Sequence, residues 1–255
     1  MILPKILPAF IKRRLDPAQR YGLRLTLFIA AVSLAGIPFA YLLVEITSGA
    51  RMVRVDRAIS EQLFELKAGN RWLSTVFNGI SFLGFPPWFW VLVGGVSLYL
   101  LKRSERRLMI YLLSSTIGGS IVNTIVKETV NRPRPTFKDP SAVTFQSGKS
   151  FPSGHAMSST IAYGALLLIF LPLIPKRYRK AAIAGTVSLV LVIGLARLGL
   201  GVHYLSDVIG GYILGLAWLA ASTAAFSIWR IERGAKPVHP LEAGVEPEAA
   251  ATLHP

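Results

Sequence analysis

The chain has 255 residues and no cysteine, so disulfides and thiolate metal sites are both excluded. Acidic residues are scarce, 13 against 28 lysines and arginines, and charge of either sign amounts to 16% beside 52% hydrophobic residues. The few charges leave long stretches empty. Leu25 to Val44, Leu83 to Leu101, Leu108 to Val126, Ala156 to Pro175, Ala181 to Ala196 and Val208 to Trp229 contain none. A run of about 18 or more apolar residues is long enough to cross a bilayer as a helix. Ala181 to Ala196 is short for this and suffices only with Arg197 at its end. One soluble core has no room for six such segments. The sequence therefore predicts an all-α, six-transmembrane helix bundle.

Basic residues fall in the turns between these runs. The arm before the first run carries Lys5, Lys12, Arg13, Arg14, Arg20 and Arg24. Lys102, Arg103, Arg106 and Arg107 follow the second run, Lys176, Arg177, Arg179 and Lys180 the fourth, and Arg230, Arg233 and Lys236 the sixth. Short basic loops stay cytoplasmic, which places both termini inside and the remaining loops outside, in a plasma (inner) membrane. The net charge of +15 is thus explained by anionic headgroups, and nucleic acid is not an expected partner. The first run is of full spanning length, so no cleaved leader is expected. The division reads as a basic arm over 1–24, a six-span domain over 25–230, and a tail over 231–255. The tail is rich in Ala, Glu and Pro and is expected to be disordered. No internal repeat is visible. Glu45 to Arg71 mixes charges with Ile59, Leu63, Phe64 and Leu66, and fits either an amphipathic helix at the outer surface or a solvated loop.

Three constellations interrupt the apolar pattern. Lys127 ends the third run and is followed by Arg132-Pro133-Arg134-Pro135, a rigid turn with two guanidinium groups. Arginine grips phosphate oxygens bidentately and lysine acts as a point charge; snorkelling toward headgroups would also explain them. Phe151-Pro152-Ser153-Gly154-His155 precedes the fourth run. Ser153 suits a helix N-cap, where its hydroxyl and nearby N–H groups can hold an anion. Gly154 permits close approach to the backbone, and His155 falls in the first turn. In Arg197-x5-His203-x3-Asp207, the last two residues are spaced to share a helix face. A carboxylate on one imidazole nitrogen fixes the tautomer and frees the other nitrogen as a nucleophile. An ordinary capped helix start and a structural Arg197–Asp207 pair are the plainer readings. All three constellations fall on the outer side by loop charge and span counting.

In this order, Lys127-x6-Arg134-Pro135, Pro152-Ser153-Gly154-His155 and Arg197-x5-His203-x3-Asp207 resemble the motifs of the type 2 phosphatidic acid phosphatase family, over roughly residues 72 to 229. The resemblance implies hydrolysis of lipid phosphates without metal or cofactor. It implies His203 as nucleophile, Asp207 as its orienting partner and His155 as the acid. Lys127, Arg134, Ser153, Gly154 and Arg197 would bind phosphoryl oxygens. Substrates implied are undecaprenyl diphosphate first, then phosphatidylglycerophosphate, phosphatidate and lipid A phosphates. Ala196 departs from the pattern, which has serine there. A lipid phosphotransferase would use the same residues, and a non-catalytic lipid-phosphate binder or transporter would need only the cations. The six runs exclude the soluble haloperoxidases that share this pocket.

Overall fold

The computed structural model describes residues 23–48, 51–68, 70–137 and 148–253. The basic arm expected over 1–24 lies outside them as far as residue 22. Among the described residues all regular structure is helical: α1 Leu23–Thr47, α2 Arg51–Ala68, α3 Arg71–Phe82, α4 Pro86–Lys102, α5 Arg106–Val130, α6 Gly154–Phe170, α7 Lys176–Gly199, α8 Leu205–Glu232, and the short α9 Pro240–Ala243 and α10 Ala250–Leu253. Among the described residues five helical stretches are long and apolar enough to cross a membrane: Trp72–Lys102, Arg106–Val130, Gly154–Leu173, Lys176–Gly199 and Leu205–Glu232.

Local chemistry sets the boundaries. Pro86 and Pro87 occupy the first turn of α4, where their missing N–H groups cost nothing. They separate α4 from α3 within one uncharged run. α5 stops at Asn131, whose φ of 52° lies in the left-handed region that asparagine tolerates. The stretch expected to be short for a span is lengthened by the basic turn before it. α7 has 24 residues, about 36 Å at 1.5 Å per residue.

α6 is the central helix and packs against α5, α7 and α8, while α1 lies along α8 and α3 along α7. The main core joins Val93, Leu100, Leu108, Tyr111, Leu112, Leu168, Ile169 and Phe226. Large apolar residues also face outward, among them Trp90, Val91, Leu191, Leu195 and Leu216. Ile117, Ile121 and Ile125 form one such exposed row along α5. Polar Ser115, Asn123, Ser159, Thr160 and Thr223 are buried instead. Lipid outside the bundle accounts for both features. Tyr111 and Thr223 pair their hydroxyls at 2.8 Å, and Ser159 and Thr160 donate to Ala156 O at 3.1 Å and 2.7 Å.

Chain direction alternates along the bundle. The Ser150 and Ser153 N–H groups, donating to Arg132 O at 2.8 Å and Asp207 O at 2.9 Å, bring together the end of α5 and the starts of α6 and α8. All three motifs lie at this end. The segment expected as amphipathic helix or loop is α2, which lies against α7 and α8 with Phe64 stacked on Phe137, ring centroids 4.3 Å apart.

At the opposite end the tail differs from the expected disorder. Val245, Ala249 and Leu253 are buried in the main core. The Val245 N–H donates to Leu168 O at 3.1 Å, and Tyr99 donates to Leu253 O at 2.8 Å. Two physical reasons apply. The three apolar residues recur every fourth position within a polar background. Arg230, 1% exposed, needs acids, and the tail supplies Glu248 at 2.6 Å and Glu246 at 3.9 Å.

Candidate active site

The last turn of α5 aims Lys127 across at the loop before α6. Its Nζ donates to Lys149 O at 3.1 Å and Pro152 O at 2.9 Å. Arg134 leaves the proline-flanked turn and bridges two loops. Its Nε donates to Gly148 O at 3.1 Å, and its Nη1 to Val202 O at 2.6 Å. The same Nη1 lies 3.3 Å from His203 Nε2.

That contact determines the tautomer. Guanidinium nitrogens only donate, so Nε2 accepts and the imidazole proton sits on Nδ1. Nδ1 lies 3.4 Å from Asp207 Oδ2. The two residues do not share a helix face, because α8 begins after His203 with Tyr204 as its N-cap. Asp207 is the third residue of the helix and accepts the Tyr204 N–H at 2.9 Å. A carboxylate turned back over a helix N-terminus meets the side chain just upstream. The pair therefore forms by capping geometry rather than by helical spacing.

His203 is 2% exposed and Asp207 fully buried. Burial pushes His203 down to about 4; Asp207 opposes the fall, while Arg197 and Arg134 add to it. The imidazole is thus neutral near pH 7. Burial also lowers Arg134, against the pull of the Asp207 charge.

Ser153 caps α6, its Oγ accepting the Ala156 N–H at 3.5 Å. His155 follows in the first turn, 5% exposed. Lys127, Arg134, Gly154, His155 and His203 line one cavity of about 230 Å³. Asp207 stands behind His203. Ser153 and Arg197 are not on that wall: the Ser153 hydroxyl is turned to its cap, and Arg197 Nη1 donates to Ser81 Oγ at 2.7 Å. Asn123, Thr116, Ser120 and Ser158 continue the cavity from its charged end toward Phe89, Trp90, Val93 and Ile161 of α4 and α6.

Several residues at the site carry no motif. Ser81 on α3 reaches Arg197. Ser150 Oγ lies 3.5 Å from Asp207 Oδ1. Arg132 Nη1 donates to Asp207 Oδ1 and to Ser206 Oγ, both at 2.7 Å, and Nη2 to Asp56 Oδ2 at 2.8 Å. Burial works against the Arg132 charge, but Asp207 and Asp56 outweigh it and hold the guanidinium above its ordinary value. The one sequence signal for Asp56 is a carboxylate on the α2 stripe Asp56, Ser60, Leu63, Lys67, which otherwise faces inward.

The model of the PAP2 superfamily matches residues 108–230. Phosphatidylglycerophosphatase B of Bacillus subtilis is 32% identical over 166 residues, which cover 63% of this chain and 78% of that one. A lipid A 1-phosphatase of Rhizobium johnstonii is 35% identical over 121 residues, 45% of this chain and 46% of that one. The crystal structure of a transmembrane PAP2-type phosphatidylglycerolphosphate phosphatase from Bacillus subtilis superposes with a TM-score of 0.68 at 24% identity, covering 82% of this chain and 98% of the other. Fold, membrane spans and family match together make this chain a multi-span membrane lipid phosphatase of the PAP2 superfamily.

Proposed function

We propose that this enzyme hydrolyses the phosphomonoester or diphosphate headgroup of a membrane lipid at the extracytoplasmic face, through a phosphohistidine on His203. The observation that carries the reading is one cavity lined by His203, Arg134, Lys127 and His155, with His203 Nε2 against Arg134, and by apolar α4 and α6 side chains. A phosphate suits the cationic end, and the apolar side leads toward α4 and α6, where the lipid portion would extend. Phosphatidylglycerophosphate is the first substrate to test, given the Bacillus relative's name; undecaprenyl diphosphate, phosphatidate and lipid A phosphates follow.

In the first step His203 Nε2 attacks phosphorus, the bond to the lipid oxygen breaks, and His155 gives that oxygen its proton. Arg134 exchanges its hold on Nε2 for a phosphoryl oxygen. Lys127 and the Gly154 backbone on the cavity wall take up the remaining charge, and Arg197, off that wall, adds its positive field. In the second step His155 removes a proton from water, which attacks phosphorus and releases inorganic phosphate from His203. Asp207 balances the imidazolium throughout. We further propose six spans, with α1 as the first, and both termini cytoplasmic in the plasma membrane. The 25–230 region then forms the catalytic unit.

The test is phosphate release by detergent-purified protein from a panel of these lipids with EDTA present, beside His203→Ala. Turnover by the wild type alone, with ³²P trapped on His203 by acid-free quenching, supports the scheme. Strict dependence on added divalent metal contradicts it.

A further inference from the structure

Asp56 lies outside every motif, yet it is fully buried behind the histidine–aspartate pair. Its Oδ1 accepts the Ser206 N–H at 2.9 Å, and its Oδ2 accepts the Ser206 hydroxyl and, at 2.8 Å, Arg132 Nη2. The second nitrogen of that guanidinium donates to Asp207 Oδ1 at 2.7 Å. One arginine, its side chain 10% exposed, therefore joins two fully buried carboxylates. The division of contacts is ordered. Arg132 takes Asp207 Oδ1, which leaves Oδ2 to the Tyr204 N–H and His203 Nδ1.

The charge count follows from these bonds. Two carboxylates and one guanidinium leave a net single negative charge. With Asp56 neutral, Arg132 would cancel Asp207 and His203 would face a neutral pair. Phosphoryl transfer makes the imidazole cationic, and in an enclosed site that charge needs a compensating one already in place. A tether holding α2 against α8 would act through the three hydrogen bonds that the Asp56 oxygens accept.

We propose that Asp56 is a positioning residue of the phosphatase site: by sharing Arg132 with Asp207, it leaves the Asp207–His203 pair the net negative charge that stabilises the imidazolium formed in phosphoryl transfer. The proposal rests on His203 being the nucleophile. It also gives the helix between α1 and α3 a part in the reaction.

The test uses full-length protein in detergent with EDTA and phosphatidylglycerophosphate as substrate. Wild type, His203→Ala, Asp56→Asn, Asp56→Glu and the double variant Asp56→Asn with Arg132→Gln are compared, each checked for a normal elution profile and thermal midpoint. Asp56→Asn is expected to lower kcat about 10–100-fold, as loss of a histidine–carboxylate pair's outer partner generally does, with KM changed less than about twofold. The double variant restores the net charge and is expected to turn over faster than Asp56→Asn alone, with the thermal midpoint unchanged, whereas a tether would lower midpoint and kcat together. A near-normal kcat in Asp56→Asn beside an inactive His203→Ala overturns the role of Asp56 alone. So does a double variant slower than the single. Full turnover by His203→Ala overturns the nucleophile and this role with it. Should Asp56→Asn not fold, the decision falls to Asp56→Glu and the double variant. Both keep the charge, and a loss beyond about 100-fold in both, correctly folded, overturns the proposal.

Discussion

A neutral imidazole with its proton on Nδ1 is a specific, measurable state. Nε2 accepts from Arg134 and Nδ1 faces Asp207. Burial, Arg197 and Arg134 favour the neutral form, and only Asp207 favours the charged one. The sign is therefore downward: His203 stays neutral as pH falls through the ordinary histidine range and gains its second proton near 4. Nitrogen chemical shifts of ¹⁵N-histidine-labelled protein are expected to show a bare Nε2 and protonated Nδ1 across pH 5–8. Asp207→Asn removes the one favourable charge and disturbs the tautomer. It is expected to lower kcat by about 10⁴-fold, the magnitude seen when a histidine loses its orienting carboxylate, read as steady-state phosphate release. The residues proposed for this chemistry were legible in the sequence because they sit in short local motifs with fixed offsets. Asp56 and Ser81 were not, because each meets its partner across more than 100 residues, Ser206 in one case and Arg197 in the other. No local spacing encodes such a contact.

Between elements, two features of α6 are open to test. Its groove with α4 and α5 holds the apolar part of the cavity, where Thr116 is a half-buried wall residue. Thr116→Phe fills that space without touching the charged end. It is expected to lower kcat/KM about tenfold for long-chain lipid phosphates while leaving p-nitrophenyl phosphate hydrolysis near the wild-type rate. The other face of α6 meets α8 through glycine. A Cβ on Gly211 would stand 2.7 Å from Ser153 O and 2.9 Å from Ala156 Cβ. Since backbone cannot retreat as a side chain can, Gly211→Ala forces α6 from α8 and parts the second motif from the third. The expected cost is about 1–3 kcal/mol, typical of overpacking, seen as a lower melting temperature with a parallel fall in activity. The helices themselves were largely readable from uncharged runs. Their ends were less so: α7 recruits charged residues into its first turn, and one apolar run holds both α3 and α4.

For the whole molecule, the two ends of the bundle divide the work. α8 carries the site at its start and the buried Arg230 near its end, about 40 Å away at 1.5 Å per residue. Stopping the chain after Gly234 removes Glu246 and Glu248 and uncovers the core beside Leu168 and Phe226. Stripping a buried charge of its partners costs about 3–5 kcal/mol; with Glu248 half exposed, the lower figure applies. The truncated protein is expected to melt earlier in a thermofluor scan with kcat/KM unchanged, because nothing near His203 has moved. The same division of ends carries the orientation. The short basic turns 102–107 and 176–180 lie at the tail end, while the basic residues at the catalytic end are spread out, as along α2, or belong to the motifs. Positive turns stay in the cytoplasm, which supports the proposed outward-facing site. The absence of cysteine makes this directly readable. Thr136→Cys places one thiol on the exposed loop after Pro135, and Lys176→Cys places one at the exposed first residue of α7. In intact spheroplasts a membrane-impermeant maleimide is expected to label the Thr136→Cys protein at once and the Lys176→Cys protein only after permeabilisation. The reverse pattern would put His203 on the cytoplasmic side, where the enzyme would meet lipid phosphates as they are made rather than after they have crossed the bilayer.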